Sequence, residues 1–383
     1  MRNIAANVIT LLVVGGIVLL AAIGWAFDQF KTEGPLAQDL CVEVKRGASF
    51  ASVSNDLAEN GAVTDARLLR VGARYIGRDD QLKAGNFLVP AGASMEEIVN
   101  IVTGVGVSSC GAEIVYRVGV FRARVIVYEW DQEQNANVEL TRFELFDESR
   151  PAGFTRTANQ SATKHRLVVS EGATSASIHA ALSSIDTIEN DVADIPPEGS
   201  LLPGSYEFTV GANMSSLVTR MQERMNEALE ETWAGRAEDT PLESKEQLLI
   251  LASIVEKETR PKEHQKVASV FINRLNKGMR LQTDPTVIYG ITLGQAPLGR
   301  GLRKSELTAP TPYNTYVIQG LPPTPIANPS RESLEAAANP DETPYLYFVA
   351  DGTGGHAFAE TLDEHNKNVA VWRRIERERK ANE

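Results

Sequence analysis

Ser244-Lys-Glu-Gln-Leu-Leu-Ile-Leu-Ala-Ser-Ile-Val-Glu-Lys-Glu-Thr259 is the most informative segment of this chain. Ser244, with Gln247 three residues on, has the spacing of a capping box, so a helix is expected to begin here. At about 100° per residue, Leu248, Leu251, Ile254 and Val255 gather on one side, and Glu258 falls among them. Glu256 points about 160° away from that side, and Lys257 lies about 100° off. A carboxyl at the end of an apolar stripe is partly desolvated, which raises its pKa and suits a general acid. The competing reading is a helix-end glutamate that simply bends into solvent.

Downstream, Glu263 to Lys277 expects a second helix, packing through Val267, Val270, Phe271 and Leu275 and stopping at Gly278. Met279-Arg-Leu-Gln-Thr-Asp-Pro-Thr-Val-Ile-Tyr-Gly290 is a polar loop running into apolar sequence. Asp284, before Pro285, reads as the cap of the next helix rather than a second acid. Prolines hold Ala309–Tyr316 and Gly320–Ile326 extended, which offers aromatic and amide side chains to a polar ligand. Pro344–Ala350 and His356–Ala359 flank Asp351-Gly-Thr-Gly-Gly355, a hairpin signal. The run Arg373-Arg-Ile-Glu-Arg-Glu-Arg-Lys380 alternates in sign and reads as a solvated helix end.

Upstream, Pro203–Phe208 leads into a helix with Asn213 as its expected cap, running to about Trp233. Earlier still there is an internal repeat. Val42-Glu-Val-Lys-Arg-Gly-Ala-Ser-Phe-Ala-Ser-Val53 aligns with Leu167-Val-Val-Ser-Glu-Gly-Ala-Thr-Ser-Ala-Ser-Ile178. Each copy is a β-branched run, a glycine turn, then a Ser or Thr that opens a helix. In the first copy Ser49 is the expected cap, with Val53, Leu57 and Ala58 on one helical face. A helix at Asp65–Ile76, a strand at Gly85–Pro90 and a capped start at Ser94 complete the unit. This strand–helix–helix–strand order resembles a LysM-like module, a fold that binds N-acetylglucosamine polymers; a purely structural role stands beside that reading. Between the copies, Glu113–Val120, Arg122–Trp130 and Val138–Phe146 read as strands, and 147–165 reads as loop.

Val8 to Phe27 is almost wholly apolar and would rise about 30 Å as a helix, the thickness of a bilayer's hydrocarbon. No small-x-small cleavage site follows, so an uncleaved anchor is expected over a signal peptide, with Arg2 inside and Trp25 near the outer interface. Export would permit a Cys41–Cys110 bridge, against two free thiols. The chain has 383 residues, 43% of them hydrophobic and 23% charged, which excludes a disordered chain or a multi-span membrane protein. A net charge of −12 argues against nucleic-acid binding. His356 and His365 lack metal-ligand spacing, and neither a metal nor a cofactor is expected.

Val267–Leu275, Arg280–Gly290, Thr311–Tyr316 and Pro344–Gly352 together resemble the YceG-like endolytic murein transglycosylase family. The resemblance is contiguous over about residues 241–370 and diffuse upstream. It implies a single-pass inner-membrane enzyme, its catalytic domain in the periplasm, that cuts peptidoglycan glycan strands internally and leaves a 1,6-anhydro-N-acetylmuramic acid end. It also implies termination of nascent strands and peptidoglycan synthases as neighbours. More broadly, the motif order is similar to lysozyme-like lytic transglycosylases, where a helix ends in Glu-Ser and Gly-Leu-Met-Gln and Tyr-Asn segments follow. Glu258-Thr259, Arg280-Leu-Gln282 and Tyr313-Asn314 stand in those places. That assigns Glu258 as the catalytic acid and then base, with Gln282, Tyr313 and Asn314 as substrate-binding candidates or structural hydrogen-bonders.

The expected fold is therefore α+β. An anchor occupies 1–30, a LysM-like module 40–110, a strand-rich insertion 111–165, a second LysM-like repeat with its connecting helix 166–240, and a lysozyme-like catalytic domain 241–383. Two other functions fit the same residues: a hydrolytic muramidase using Glu256 or Asp284 to activate water, and a non-catalytic, membrane-anchored wall-binding scaffold.

Overall fold

The computed structural model describes residues 2–104, 110–131, 133–158, 163–259 and 261–382. Met1 and Glu383, the ends of the expected anchor and catalytic segments, lie outside the described residues, as does 159–162 of the expected loop. The class is α+β, as expected, and the chain divides into two compact units. One comprises Met1–Val115, Ile126–Phe143 and Ser149–Lys164; the other comprises Tyr116–Val125, Glu144–Glu148 and His165–Glu383.

The first unit begins with the helix Arg2–Lys31, in which Ile9–Lys31 is long and apolar enough to cross a membrane. Its leucines and valines are exposed, which in water would leave a large apolar surface uncovered. At its end Phe30 is buried against Gly72, where any Cβ would collide with the ring. Strands Leu40–Val44 and Gly85–Val89 pair antiparallel, with Val42 opposite Phe87. Helices Phe50–Glu59 and Ala66–Tyr75 lie between them in sequence, and Met95–Thr103 follows. Each start is set locally: Ser49 accepts from Ser52, Asp65 from Arg67 and Leu68, and Ser94 with Glu97 forms a full capping box. Val53, Leu57, Leu69, Phe87 and Ile98 close the core. Cys41 and Cys110 are bridged.

Strands Glu113–Val118, Ala123–Asp131 and Ala136–Glu144 occur where expected. They share one five-stranded sheet with Lys164–Val169 and Gly204–Phe208, the order running from Ala136–Glu144 through Ala123–Asp131, Glu113–Val118 and Lys164–Val169 to Gly204–Phe208. The expected loop differs: Ala152–Ala158 is a helix. Its polar composition hid one apolar anchor, Phe154, whose ring lies edge-on to Phe143 with 5.2 Å between centroids.

In the second unit His165–Val169 pairs antiparallel with Gly204–Phe208, with Leu167 opposite Tyr206. Thr174 caps the helix Ser175–Ser183. Asn213 precedes the helix Met214–Ala234 but its side chain does not cap it. Instead Asp191 accepts from the Ser215 N–H at 2.8 Å and from Asn213 Nδ2 at 3.1 Å, so a carboxylate from an earlier turn does the capping. Helices Lys245–Glu258, His264–Asn276 and Arg331–Ala338 pack together through Leu251, Ile254, Val255, Val267, Phe271 and Leu334. Strands Tyr347–Ala350 and His356–Ala359 form the expected hairpin, and the helix Leu362–Asn382 follows it.

Candidate active site

Ser244 accepts from the Gln247 N–H and starts the helix Lys245–Glu258. Gln247 reaches back one residue further than the capping-box expectation, accepting from the Glu243 N–H at 2.9 Å. The helix stops at Thr259, whose backbone is extended. Leu248, Leu251, Ile254 and Val255 are wholly buried, and this stripe delivers Glu258 to a half-buried position.

The Thr283 hydroxyl donates to Glu258 Oε1. Burial pushes the Glu258 carboxyl above the ordinary carboxylate range, opposed by the Thr283 bond. The charge of Asp284 pushes it further up, while His356 and Arg274 pull it down. Desolvation is the largest of these effects, so the net shift is upward. Arg274 is itself spent on the backbone, donating to Leu346 O at 2.6 Å and Leu281 O at 2.7 Å.

Two segments 32 residues apart hold Thr283 in place. Thr315 Oγ1 accepts from the Thr283 N–H at 3.0 Å and lies 2.9 Å from Thr286 Oγ1, and Thr315 O accepts from the Gln282 N–H at 3.1 Å. Gln282 has φ +50, a left-handed backbone that costs a non-glycine residue roughly 1 kcal/mol or more. That turn leaves the Gln282 side chain exposed beside Thr283. Asp284 does not cap its helix; it accepts from Tyr316 Oη at 2.7 Å, which fastens the two segments a second time.

Tyr313 is half-buried, edge-on to Tyr289 at 5.1 Å, with its hydroxyl 2.8 Å from Thr324 Oγ1. Asn314 is wholly buried. Its Nδ2 donates to Ala309 O at 2.7 Å and Glu306 O at 3.1 Å, and its Oδ1 accepts from the Tyr316 N–H at 3.1 Å. Of the two roles left open for Asn314, ligand binder or structural hydrogen-bonder, these partners are those of the second. Glu256 does point away from the stripe, but not into solvent. Its Oε2 accepts from Ser330 N at 2.9 Å, Ser330 Oγ at 2.6 Å and Ser333 Oγ at 2.8 Å, so it anchors the start of Arg331–Ala338.

Residue-type reasoning did not single out Thr283, Tyr316, Glu263 or His356 as neighbours of Glu258. Thr283 and Tyr316 lie inside motifs quoted above, which was the available signal. Glu263 and His356 meet across 93 residues and leave no local trace. Among the described residues no group of three or more His, Cys, Asp or Glu is placed to hold a metal.

Residues 42–371 match the YceG-like family. A Bacillus subtilis protein named endolytic murein transglycosylase is 42% identical over 188 residues, 48% of this chain and 51% of that protein. A Streptococcus pneumoniae protein of the same name is 34% identical over 184 residues, 45% of this chain and 32% of that one. The match thus spans about half the length of the first relative and a third of the second. A crystal structure of a YceG-like protein from Listeria monocytogenes matches at a TM-score of 0.45 and 25% identity, covering 86% of this chain and 99% of that one.

Proposed function

The chain belongs to the YceG-like family, and from that premise we propose that it is an endolytic murein transglycosylase anchored in the inner membrane. The observation that carries the reading is Glu258: a desolvated carboxyl, held by Thr283, at the end of a buried apolar stripe. Protonated Glu258 gives its proton to the oxygen linking N-acetylmuramic acid to N-acetylglucosamine. The C6 hydroxyl of the same muramic acid closes on C1, its proton is removed, and the strand ends in the anhydro sugar. Because the nucleophile belongs to the substrate, the second carboxylate of an ordinary glycosidase is not required. Gln282 and Tyr313 are the side chains we assign to acetamido and hydroxyl groups of the glycan.

The span Ile9–Lys31 supports a single crossing, and the Cys41–Cys110 bridge supports an oxidising, periplasmic side for everything after it. Residues 40–110, with the turn Lys45–Gly47 exposed, serve in this reading as a LysM-like glycan grip. Anchored beside the sites of glycan synthesis, the enzyme would cut strands as membrane-bound peptidoglycan synthases extend them.

The test uses the full-length protein in detergent with uncrosslinked glycan strands, and mass spectrometry to count anhydro ends. Glu258→Gln keeps the shape and removes the proton, and the expected loss is roughly a hundred- to ten-thousand-fold. Glu256→Gln retains an acceptor for Ser330 and Ser333 and should stay within about threefold of wild type. Reducing ends in place of anhydro ends would indicate a hydrolytic muramidase. Full activity in Glu258→Gln would end the assignment, and a wild type that binds strands without cutting them would leave a scaffold.

A further inference from the structure

Glu263 lies five residues beyond Glu258 and has no part in the chemistry above, yet three hydrogen bonds converge on it. Its Oε2 accepts from Thr259 Oγ1 at 3.2 Å and lies 2.7 Å from His356 Nδ1. Its Oε1 accepts from the His356 N–H at 3.1 Å. Thr259 directly follows Glu258, so this carboxylate ties the hairpin histidine to the end of the catalytic helix. The fit is close: a Cβ on Gly355 would lie 2.9 Å from Glu263 Oε1. Burial alone would raise the Glu263 pKa, but the bonds from His356 and Thr259 outweigh it and hold the group below its ordinary value. Glu263 is therefore a carboxylate at neutral pH.

A carboxylate on Nδ1 fixes both the orientation and the tautomer of an imidazole. The neutral ring then carries its proton on Nδ1 and a lone pair on Nε2. The His356 ring is further held edge-on to Phe348 at 5.2 Å. Among the described residues nothing hydrogen-bonds Nε2. Glu258, in contrast, has one oxygen occupied by Thr283. A single remaining oxygen would have to release one proton to the leaving group and collect another from the C6 hydroxyl.

We propose that His356 is the second proton-handling residue of this site, oriented by Glu263, with Nε2 taking the C6 hydroxyl proton while Glu258 protonates the leaving oxygen. The inference rests on the transglycosylase reading above. The bond from O6 to C1 forms as the bond from C1 to the leaving oxygen breaks. Imidazolium and Glu258 carboxylate remain, and transfer of the proton between them, through water, restores both with no net gain or loss. The charged groups that interact with His356 are Glu263, Asp351 and Glu258.

The two mechanisms differ in their pH profiles. One glutamate acting twice needs only to begin protonated, so its rate falls on the alkaline side alone. A histidine base adds a fall on the acid side, because a protonated imidazole cannot accept. Anhydro ends are counted for the full-length protein between about pH 4 and 9. The expected profile is a bell. His356→Gln should lose the acid limb and about a hundredfold in kcat, with KM within about twofold. Glu263→Gln should shift the acid limb and cost about tenfold, as loss of an orienting partner does. The proposal is overturned by an acid limb that persists in His356→Gln, or by kcat within about threefold of wild type. Should that variant fail to fold, a wild-type profile with no acid limb overturns it equally. A wild type that makes no anhydro ends refutes the transglycosylase reading; one that makes them with an alkaline limb only refutes the role of His356 alone.

Discussion

Val42–Val53 and Leu167–Ile178 encode the same local structure and meet different surroundings. Both are a strand, a turn with glycine at positive φ (Gly47 at +79 and Gly172 at +72), and a helix capped by a hydroxyl. In the first copy a Cβ on Gly47 would meet nothing within 4 Å, and Lys45 and Arg46 are exposed. In the second, Gly172 and Ala173 are buried. Gly172 N–H donates to Asn328 O at 3.0 Å, Ala173 O accepts from Asn328 Nδ2 at 3.0 Å, and Lys257 Nζ donates to Gly172 O at 3.2 Å. Lys257 adjoins Glu258. One copy leaves its turn exposed, and the other uses the same turn to brace the helix that carries Glu258. A sequence repeat therefore specifies a local shape and leaves its use to tertiary contacts.

The largest expected difference between the copies is covalent. The first copy's strand carries Cys41, bridged to Cys110 across a separation of 69 residues, and the second copy has no such tie. By loop-closure entropy a loop of that length contributes about 4 kcal/mol. Reduction should therefore raise amide hydrogen exchange over residues 42–103 well before 165–178 is affected, with the proposed activity on short glycans preserved. Equal loss of protection in both copies would show that they do not open independently.

Next in size is a pH effect confined to the second copy's strand. His165 is buried between Tyr116 and Phe208, and burial lowers its pKa from 6.5 to about 4. As pH falls below 6.5 the unfolded chain takes a proton that the folded chain refuses until about 4. Stability is therefore lost across that window, to a total of about 3 kcal/mol, and is level above it. Glu258 and Glu198, held above the ordinary carboxylate range by burial, work in the opposite direction as pH falls. The decisive quantity is thus wild type minus His165→Phe in denaturant melts. That difference should slope between about pH 6.5 and 4 and be flat above; a flat difference throughout would remove the buried histidine from the comparison.

What was legible in the sequence follows the same division. Caps at Ser49, Ser94, Thr174 and Ser244, the apolar stripe leading to Glu258, and the hairpin after Pro344 all depend on residues within a few positions of one another, where spacing carries the physics. The failures are long-range. Periodicity points Glu256 away from the apolar stripe, but nothing in it shows the start of Arg331–Ala338 arriving 74 residues later to use it. Asp284 has the local look of a cap and is held instead by Tyr316. Asn314 leaves a ligand-facing role and a structural one both open in the sequence, and only the loop that closes on its amide shows the structural contacts.

The smallest effect isolates the bracing itself, because the two caps are chemically alike. Ser49 accepts from the Ser52 N–H at 3.1 Å, and Thr174 accepts from the Ser177 N–H at 3.2 Å. Removing either hydroxyl should cost about 1 kcal/mol of helix stability. Thr174 does one thing more: its Oγ1 donates to Gly294 O at 2.6 Å, just past the end of the helix Asp284–Thr292. That helix begins beside Thr283, the residue that holds Glu258. Thr174→Ala should therefore cost about 1 kcal/mol beyond the cap, from the unmet carbonyl, and lower kcat/KM about threefold. Ser49→Ala should leave kcat/KM unchanged on glycans too short to reach the first module. Thr174→Ser keeps the donor and should restore the rate. If the two alanine variants matched in both stability and rate, the second copy would be no more a brace than the first.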